Sequence, residues 1–182
     1  SAGPVWTTDA LAARLAGRYE VRGELGEGAG GTVFLARDLR LDRLVALKTI
    51  LDPTTVSPVQ LERFRYEIRV AATMRHPNIV QIHEVLDVDG RPVCVMEYVA
   101  GRSLQQVGAN FARTAEGYAG LATLFAQIAR GIAHAHSNGI IHRDIKPANV
   151  VLSADGVPKI LDFGIAKPVL DTRLQPAAPQ TQ

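Results

Sequence analysis

The stretch His142-Arg143-Asp144-Ile145-Lys146-Pro147-Ala148-Asn149, with Asp162-Phe163-Gly164 beginning thirteen residues after Asn149, organises the reading of this 182-residue chain. It gathers an aspartate, a lysine and an asparagine within six positions and adds a second aspartate shortly beyond. Carboxylate and amide oxygens are hard ligands that suit Mg²⁺. A further carboxylate accepts a proton or orients a hydroxyl, and a lysine neutralises phosphate charge. Such a set suits phosphoryl transfer, in which positioning and charge neutralisation supply most of the rate. The upstream chain then reads as the holder of a nucleotide.

Working outward, Gly26-x-Gly28-x-x-Gly31-x-Val33 spans Gly26, Glu27, Gly28, Ala29, Gly30 and Gly31. Glycines there let backbone N–H groups approach phosphate closely. Taken alone, the motif fits a phosphate loop, an ordinary glycine hairpin or the opening of a dinucleotide fold. The strand-like run Thr32-Val33-Phe34-Leu35 after it disfavours the last, because a dinucleotide motif opens a helix. Alternation at Tyr19 and Val21 before it favours a hairpin. Leu44 to Ile50 is a further strand with Lys48 inside an apolar run. An ammonium there either snorkels from a strand edge or sits over phosphates with a carboxylate partner.

The periodicity of Leu61, Phe64 and Ile68 predicts a helix over 59–74, with Pro53 and Pro58 bounding the preceding loop. Strands are expected over 79–86 and 92–99, joined at Asp89-Gly90. Residues 103–136 read as helical, with Leu121, Leu124, Phe125, Ile128 and Ile132 forming one apolar face and Asn138-Gly139 ending the last helix. His134 and His136, two residues apart, fall on different helix faces and do not read as a metal pair. Near the N-terminus, Leu11 and Leu15 predict a short helix capped by Thr8 or Asp9 and ended by Gly17. Residues 168–182, rich in Pro and Gln, read as loop or disorder.

Composition bounds the function classes. Apolar residues make up 47% and charged residues 21%, as in an ordinary globular domain. A formal net charge of +2, without clustered Lys or Arg, gives no nucleic-acid footprint. The single cysteine, Cys94, excludes an internal disulfide, and its apolar neighbours place it in the core. No apolar run reaches the ~18 residues that span a bilayer, and no signal peptide opens the chain.

The order His142-Arg143-Asp144-x-Lys146-x-x-Asn149, then Asp162-Phe163-Gly164, resembles the eukaryotic-type protein kinases, and the flanking wording is closest to the bacterial serine/threonine kinases. Lys146, two residues after Asp144, is the serine/threonine form. The resemblance covers about 19–167. It implies an α+β, two-lobe kinase fold: a five-stranded antiparallel N-lobe with one helix (19–96), a hinge (97–101) and a partial helical C-lobe (102–167), preceded by an extension (1–18) and followed by part of an activation segment or a disordered tail (168–182). It implies ATP as phosphoryl donor, Mg²⁺ (or Mn²⁺) as metal, protein Ser/Thr hydroxyls as acceptors and a cytoplasmic catalytic domain, with any membrane anchor lying beyond Gln182.

The same resemblance assigns roles. Asp144 orients the acceptor hydroxyl and takes its proton; Lys146 neutralises the transferring phosphate; Asn149 and Asp162 hold Mg²⁺. Lys48, seventeen residues after Gly31, binds phosphates and pairs with Glu67, whose setting Arg63-Phe64-Arg65-Tyr66-Glu67 matches the family better than that of Glu62. Val33, Ala46 and Val151 sandwich adenine, Met96 is the gatekeeper, backbone groups of Glu97 and Val99 bond adenine, and Ser103 lies near the ribose. Arg143 reads an activation-segment phosphate. His142, His76 and Phe163 pack. The family continues beyond Lys167 with segments not found here, so the chain is expected to be a piece of a longer kinase domain. The alternatives are a short form that binds nucleotide or a partner without phosphorylating protein, and a small-molecule kinase, which Lys146 disfavours. Thr172 is a weak phosphosite candidate.

Overall fold

The computed structural model describes residues 6–28, 31–49, 58–108 and 115–161. The chain opens with α1 (Thr8–Leu15). Thr7, rather than Thr8 or Asp9, is its N-cap: the Thr7 hydroxyl accepts from the Ala10 N–H at 3.2 Å. There follow β1 (Tyr19–Gly28), β2 (Gly31–Asp38), β3 (Arg43–Thr49), α2 (Pro58–Thr73), β4 (Ile82–Val88) and β5 (Arg91–Glu97). The strands form one antiparallel sheet in the order β1-β2-β3-β5-β4. The β4–β5 turn is at Asp89-Gly90, with φ of +52° and +76°, the two positive values a two-residue hairpin turn demands.

Side chains alternate across each strand, so the sheet has two different faces. Val45 and Leu47 of β3 and Val93 and Val95 of β5 point to one face, where Leu11 and Leu15 of α1 cover them. Ala46 and Lys48, with Cys94 and Met96, lie at the alternate positions. Cys94 joins a second core with Ile68 and Ala71 of α2, which continues into the C-terminal half. A partly buried knot ties the start of β1 to β4. Glu84 accepts from the Tyr19 hydroxyl and pairs with Arg18. Burial first, then that hydrogen bond, pushes the Tyr19 phenol well above its usual pKa.

The C-terminal half contains β6 (Gly101–Ser103), α3 (Leu104–Val107), α4 (Ala115–Ser137), β7 (Val150–Ser153) and β8 (Pro158–Ile160). The three strands form a second sheet, β6-β7-β8, which the sequence reading missed. Ser103, expected to be helical, ends β6 and caps α3 in a capping box with Gln106. The strand expected over 79–86 begins at Ile82, because Ile79 pairs in parallel with Ile160 of β8 instead. The next strand ends at Glu97 rather than 99.

On α4, Leu124 and Ile128 are buried as expected, but Phe125 is 61% exposed. The buried stripe continues through Gly131 and Ala135. Gly131 sits in a helix interior, where it costs about 1 kcal/mol relative to Ala, because a Cβ there would meet Ile160 at 3.0 Å and Asn78 at 3.3 Å. Helix and β8 touch at that point. His134 stacks on His76 with ring centroids 5.1 Å apart, while His136 faces solvent, so the two histidines do diverge. No helix among the described residues is long and apolar enough to cross a membrane.

Candidate active site

The glycine turn is built by the β1–β2 ladder, which pairs Gly26 with Val33, Glu27 with Thr32 and Gly28 with Gly31. Gly31 has φ +116°, a conformation L side chains rarely adopt, so this position requires glycine. Ala29 and Gly30, at the tip, lie outside the described residues.

Two strands on, Lys48 is paired in register with Val33 and Cys94 and is only 2% exposed. A lysine so enclosed needs compensation, which fits the functional reading rather than a snorkelling surface lysine. The backbone of Glu67 lies in α2, but its side chain is outside the described residues, and the expected Lys48–Glu67 pair with it. Glu62, the rival carboxylate, is exposed and pairs with Arg65 at 3.0 Å.

Beside Lys48, Ala46, Met96 and Val80 form a small apolar cluster, with Val33, Val99 and Leu161 packed against it. Four of the expected adenine-contacting residues thus meet in one place. Val151 is half-buried in β7, paired with Ser103 and Lys159, and its side chain lies against Gly101 at the end of the expected hinge. Val80 and Leu161 were missed; their signals were their positions, one just ahead of β4 and the other just ahead of Asp162.

The catalytic stretch is held by its own polar groups. His142 is buried; its Nδ1 accepts from the Asp144 N–H at 3.2 Å and its Nε2 lies 2.6 Å from the Leu161 carbonyl. With Nδ1 an acceptor, Nε2 carries the proton and donates to that carbonyl. Asn149 Nδ2 donates to the Asp144 carbonyl at 2.9 Å and to Asp144 Oδ2 at 3.2 Å. That leaves the Asn149 Oδ1 as the oxygen of this side chain that could serve as a hard ligand. Lys146 Nζ sits 3.0 Å from Asp144 Oδ2. The Leu161 N–H donates to the Asn149 carbonyl at 2.8 Å, which ties β8 to the loop. Arg143 takes a left-handed backbone, φ +62°, of the kind that costs about 1–3 kcal/mol and persists where surroundings enforce it. Asp162 and Phe163 lie outside the described residues. Of the two expected metal ligands only Asn149 is described, and its amide oxygen is a hard donor of the kind Mg²⁺ takes.

A glycine turn, a buried strand lysine, a small apolar cluster and an Asp–Lys–Asn loop therefore occur together on this fold. The protein kinase domain model matches residues 19–177. The chain belongs to the protein kinase family. Its relatives include bacterial serine/threonine kinases. It is 38% identical over 162 residues to serine/threonine-protein kinase PrkC of Bacillus subtilis, covering 88% of this chain and 24% of that protein. It is 37% identical over 162 residues to serine/threonine-protein kinase PknB of Mycobacterium leprae, covering 87% of this chain and 26% of that protein. Among solved structures, the PknI kinase domain of Mycobacterium tuberculosis superposes with a TM-score of 0.69 at 32% identity, covering 83% of this chain and 61% of that one. The chain thus spans about a quarter of the length of these curated relatives. The expected kinase fold, with its five-stranded antiparallel N-lobe, is the fold observed.

Proposed function

We propose that this chain carries the nucleotide site and catalytic loop of a serine/threonine protein kinase, which transfers the γ-phosphoryl group of ATP to Ser or Thr hydroxyls of proteins. The observation that carries this reading is the Asp144 carboxylate, contacted at once by Lys146 Nζ and Asn149 Nδ2. The relatives' names, all serine/threonine-protein kinases, support the acceptor class.

In this reading the acceptor hydroxyl sits against Asp144, which orients it and takes its proton as the O–P bond forms. Lys146 neutralises the equatorial oxygens of the transferring group. Lys48 holds the phosphates from the strand side, with Glu67 as its partner. The glycine turn covers them with backbone N–H groups. Adenine lies in the Ala46, Met96, Val33 and Val99 cluster and is bonded by backbone groups of Glu97 and Val99. Mg²⁺, or Mn²⁺ in its place, is held by Asn149 and Asp162 and supplies charge neutralisation on the phosphates when bound. The reaction runs in the cytoplasm, where ATP is supplied and Cys94 stays reduced.

The test is Asp144→Asn, measured by label transfer from γ-labelled ATP to Ser/Thr-bearing protein. Transfer should fall about 10²–10⁴-fold while MgATP affinity stays close to that of the unaltered chain. Undiminished transfer, or loss of binding in step with transfer, would overturn the role.

A further inference from the structure

Strand β8 is the element through which the two halves of the proposed site communicate. Ile160 inserts into the common core, and the Asn78 side chain donates to the Pro158 carbonyl at 2.9 Å. At its end, Leu161 contributes both backbone groups to the catalytic loop, its N–H to Asn149 and its carbonyl to His142. Lys159 alternates to the opposite side from Ile160. Its Nζ lies 2.7 Å from Glu97 Oε1, at the end of β5. The other carboxylate oxygen of Glu97 accepts from the Gln81 N–H at 3.2 Å, and the Glu97 N–H donates back to the Gln81 carbonyl at 2.8 Å. The carboxylate is therefore fixed from two sides.

Most ion pairs of the molecule are surface pairs, whose net effect is small. This one differs. Its side chains are 19% and 30% exposed, and among the described ion pairs it is the only one with both partners below a third. It joins residues far apart in sequence, on strands of different sheets. One partner belongs to the segment assigned to adenine, and the other to the strand that buttresses Asn149.

We propose that Lys159 is a positioning residue, whose ion pair with Glu97 fixes the adenine end of the nucleotide site relative to Asn149 and the catalytic loop. It touches neither substrate nor metal. It sets the distance between the groups that hold the base and those that hold the metal–phosphate end. This rests on the function proposed above. It predicts a defect in the coupling between the two ends rather than in either end alone.

The experiment measures the affinity of the chain for a non-hydrolysable ATP analogue, with Mg²⁺ and again with EDTA. The ratio of the two affinities reports how well base and metal are held together, and it is independent of the folded fraction. Lys159→Met keeps the length and apolar stem of the side chain and removes the charge; Lys159→Arg keeps the charge. The ratio should fall by about fivefold in Lys159→Met and return in Lys159→Arg. An unchanged ratio in Lys159→Met, equal weakening with and without Mg²⁺, or failure of Lys159→Arg to restore the ratio would each overturn the proposal. Absence of analogue binding by the unaltered chain would overturn the kinase reading itself, and the proposal with it.

Discussion

The two faces of the five-stranded sheet are built from the same strands and do opposite work. On β3, Val45 and Leu47 turn outward to α1, while Ala46 and Lys48 occupy the alternate positions assigned to the nucleotide. The outward face is mostly apolar, with Thr32, Asp38 and Thr49 as its buried polar residues, and is sealed by Leu11, which is 0% exposed, and Leu15. The other accepts a buried ammonium and leaves an apolar cluster only partly packed. One face is assigned here to stability and the other to binding, and a one-residue step along a strand separates them. The helix that seals the outer face precedes the family match at residue 19. Trp6, the chain's one tryptophan, lies there between the guanidiniums of Arg14 and Arg91, at 5.1 and 5.5 Å.

If the outer face is a stability face, Leu11→Ala should cost about 2–5 kcal/mol in urea unfolding and leave the MgATP affinity of the folded protein unchanged. A loss below about 1 kcal/mol would mean that α1 is not packed as described. Gly31→Ala acts where the sheet turns into the phosphate loop. Its φ of +116° sets a strain of about 1–3 kcal/mol, and here stability and nucleotide affinity should fall together; a change in only one would separate the turn from the site. Lys48→Met probes the binding face. Removing the ammonium leaves its proposed carboxylate partner unpaired, so the substitution should cost about 3–5 kcal/mol of stability and also remove the stabilisation by MgATP. Preserved MgATP stabilisation would place the phosphates elsewhere.

The smallest effect belongs to the seam between the halves. Burial first, then His134 and Arg130, hold His76 below its usual pKa. The folded state therefore binds fewer protons there than the unfolded chain, and the stabilising effect is present above about pH 6.5 and lost as pH falls. His76→Gln should flatten the decline in melting temperature between pH 7 and 5. An identical slope in both proteins would remove His76 from the account.

What the sequence disclosed follows from which interactions are local. The glycine turn, the Lys48 strand, the Asp89-Gly90 hairpin and the helix of Glu67 each announce themselves through residues a few positions apart, and each is where it was expected. The second sheet did not, because β6 and β8 are three residues long, too short for alternation to register, and β6 pairs with β7 across some fifty residues of chain. For the same reason Ile79 was read as the start of β4, whereas its partner is Ile160. Phe125 was placed on the buried face of α4 by its spacing from Leu121 and Ile128; the actual stripe passes through Gly131 and Ala135, whose small size fits close approach and carries little hydrophobic signal. In the site, Asp144, Lys146 and Asn149 are legible and brought together. Lys159 with Glu97 is not, since nothing local in either segment marks the other.

The central claim is that this chain forms a nucleotide site between the binding face of the sheet and the catalytic loop. Thermal unfolding of the 182-residue chain with and without MgATP, beside Lys48→Met under the same conditions, tests it most directly. The account predicts one cooperative transition, stabilised by about 2.7 kcal/mol at a hundredfold excess of MgATP over Kd, and no such stabilisation in the variant. An unshifted transition in the unaltered chain, or an equal shift in both proteins, would contradict it.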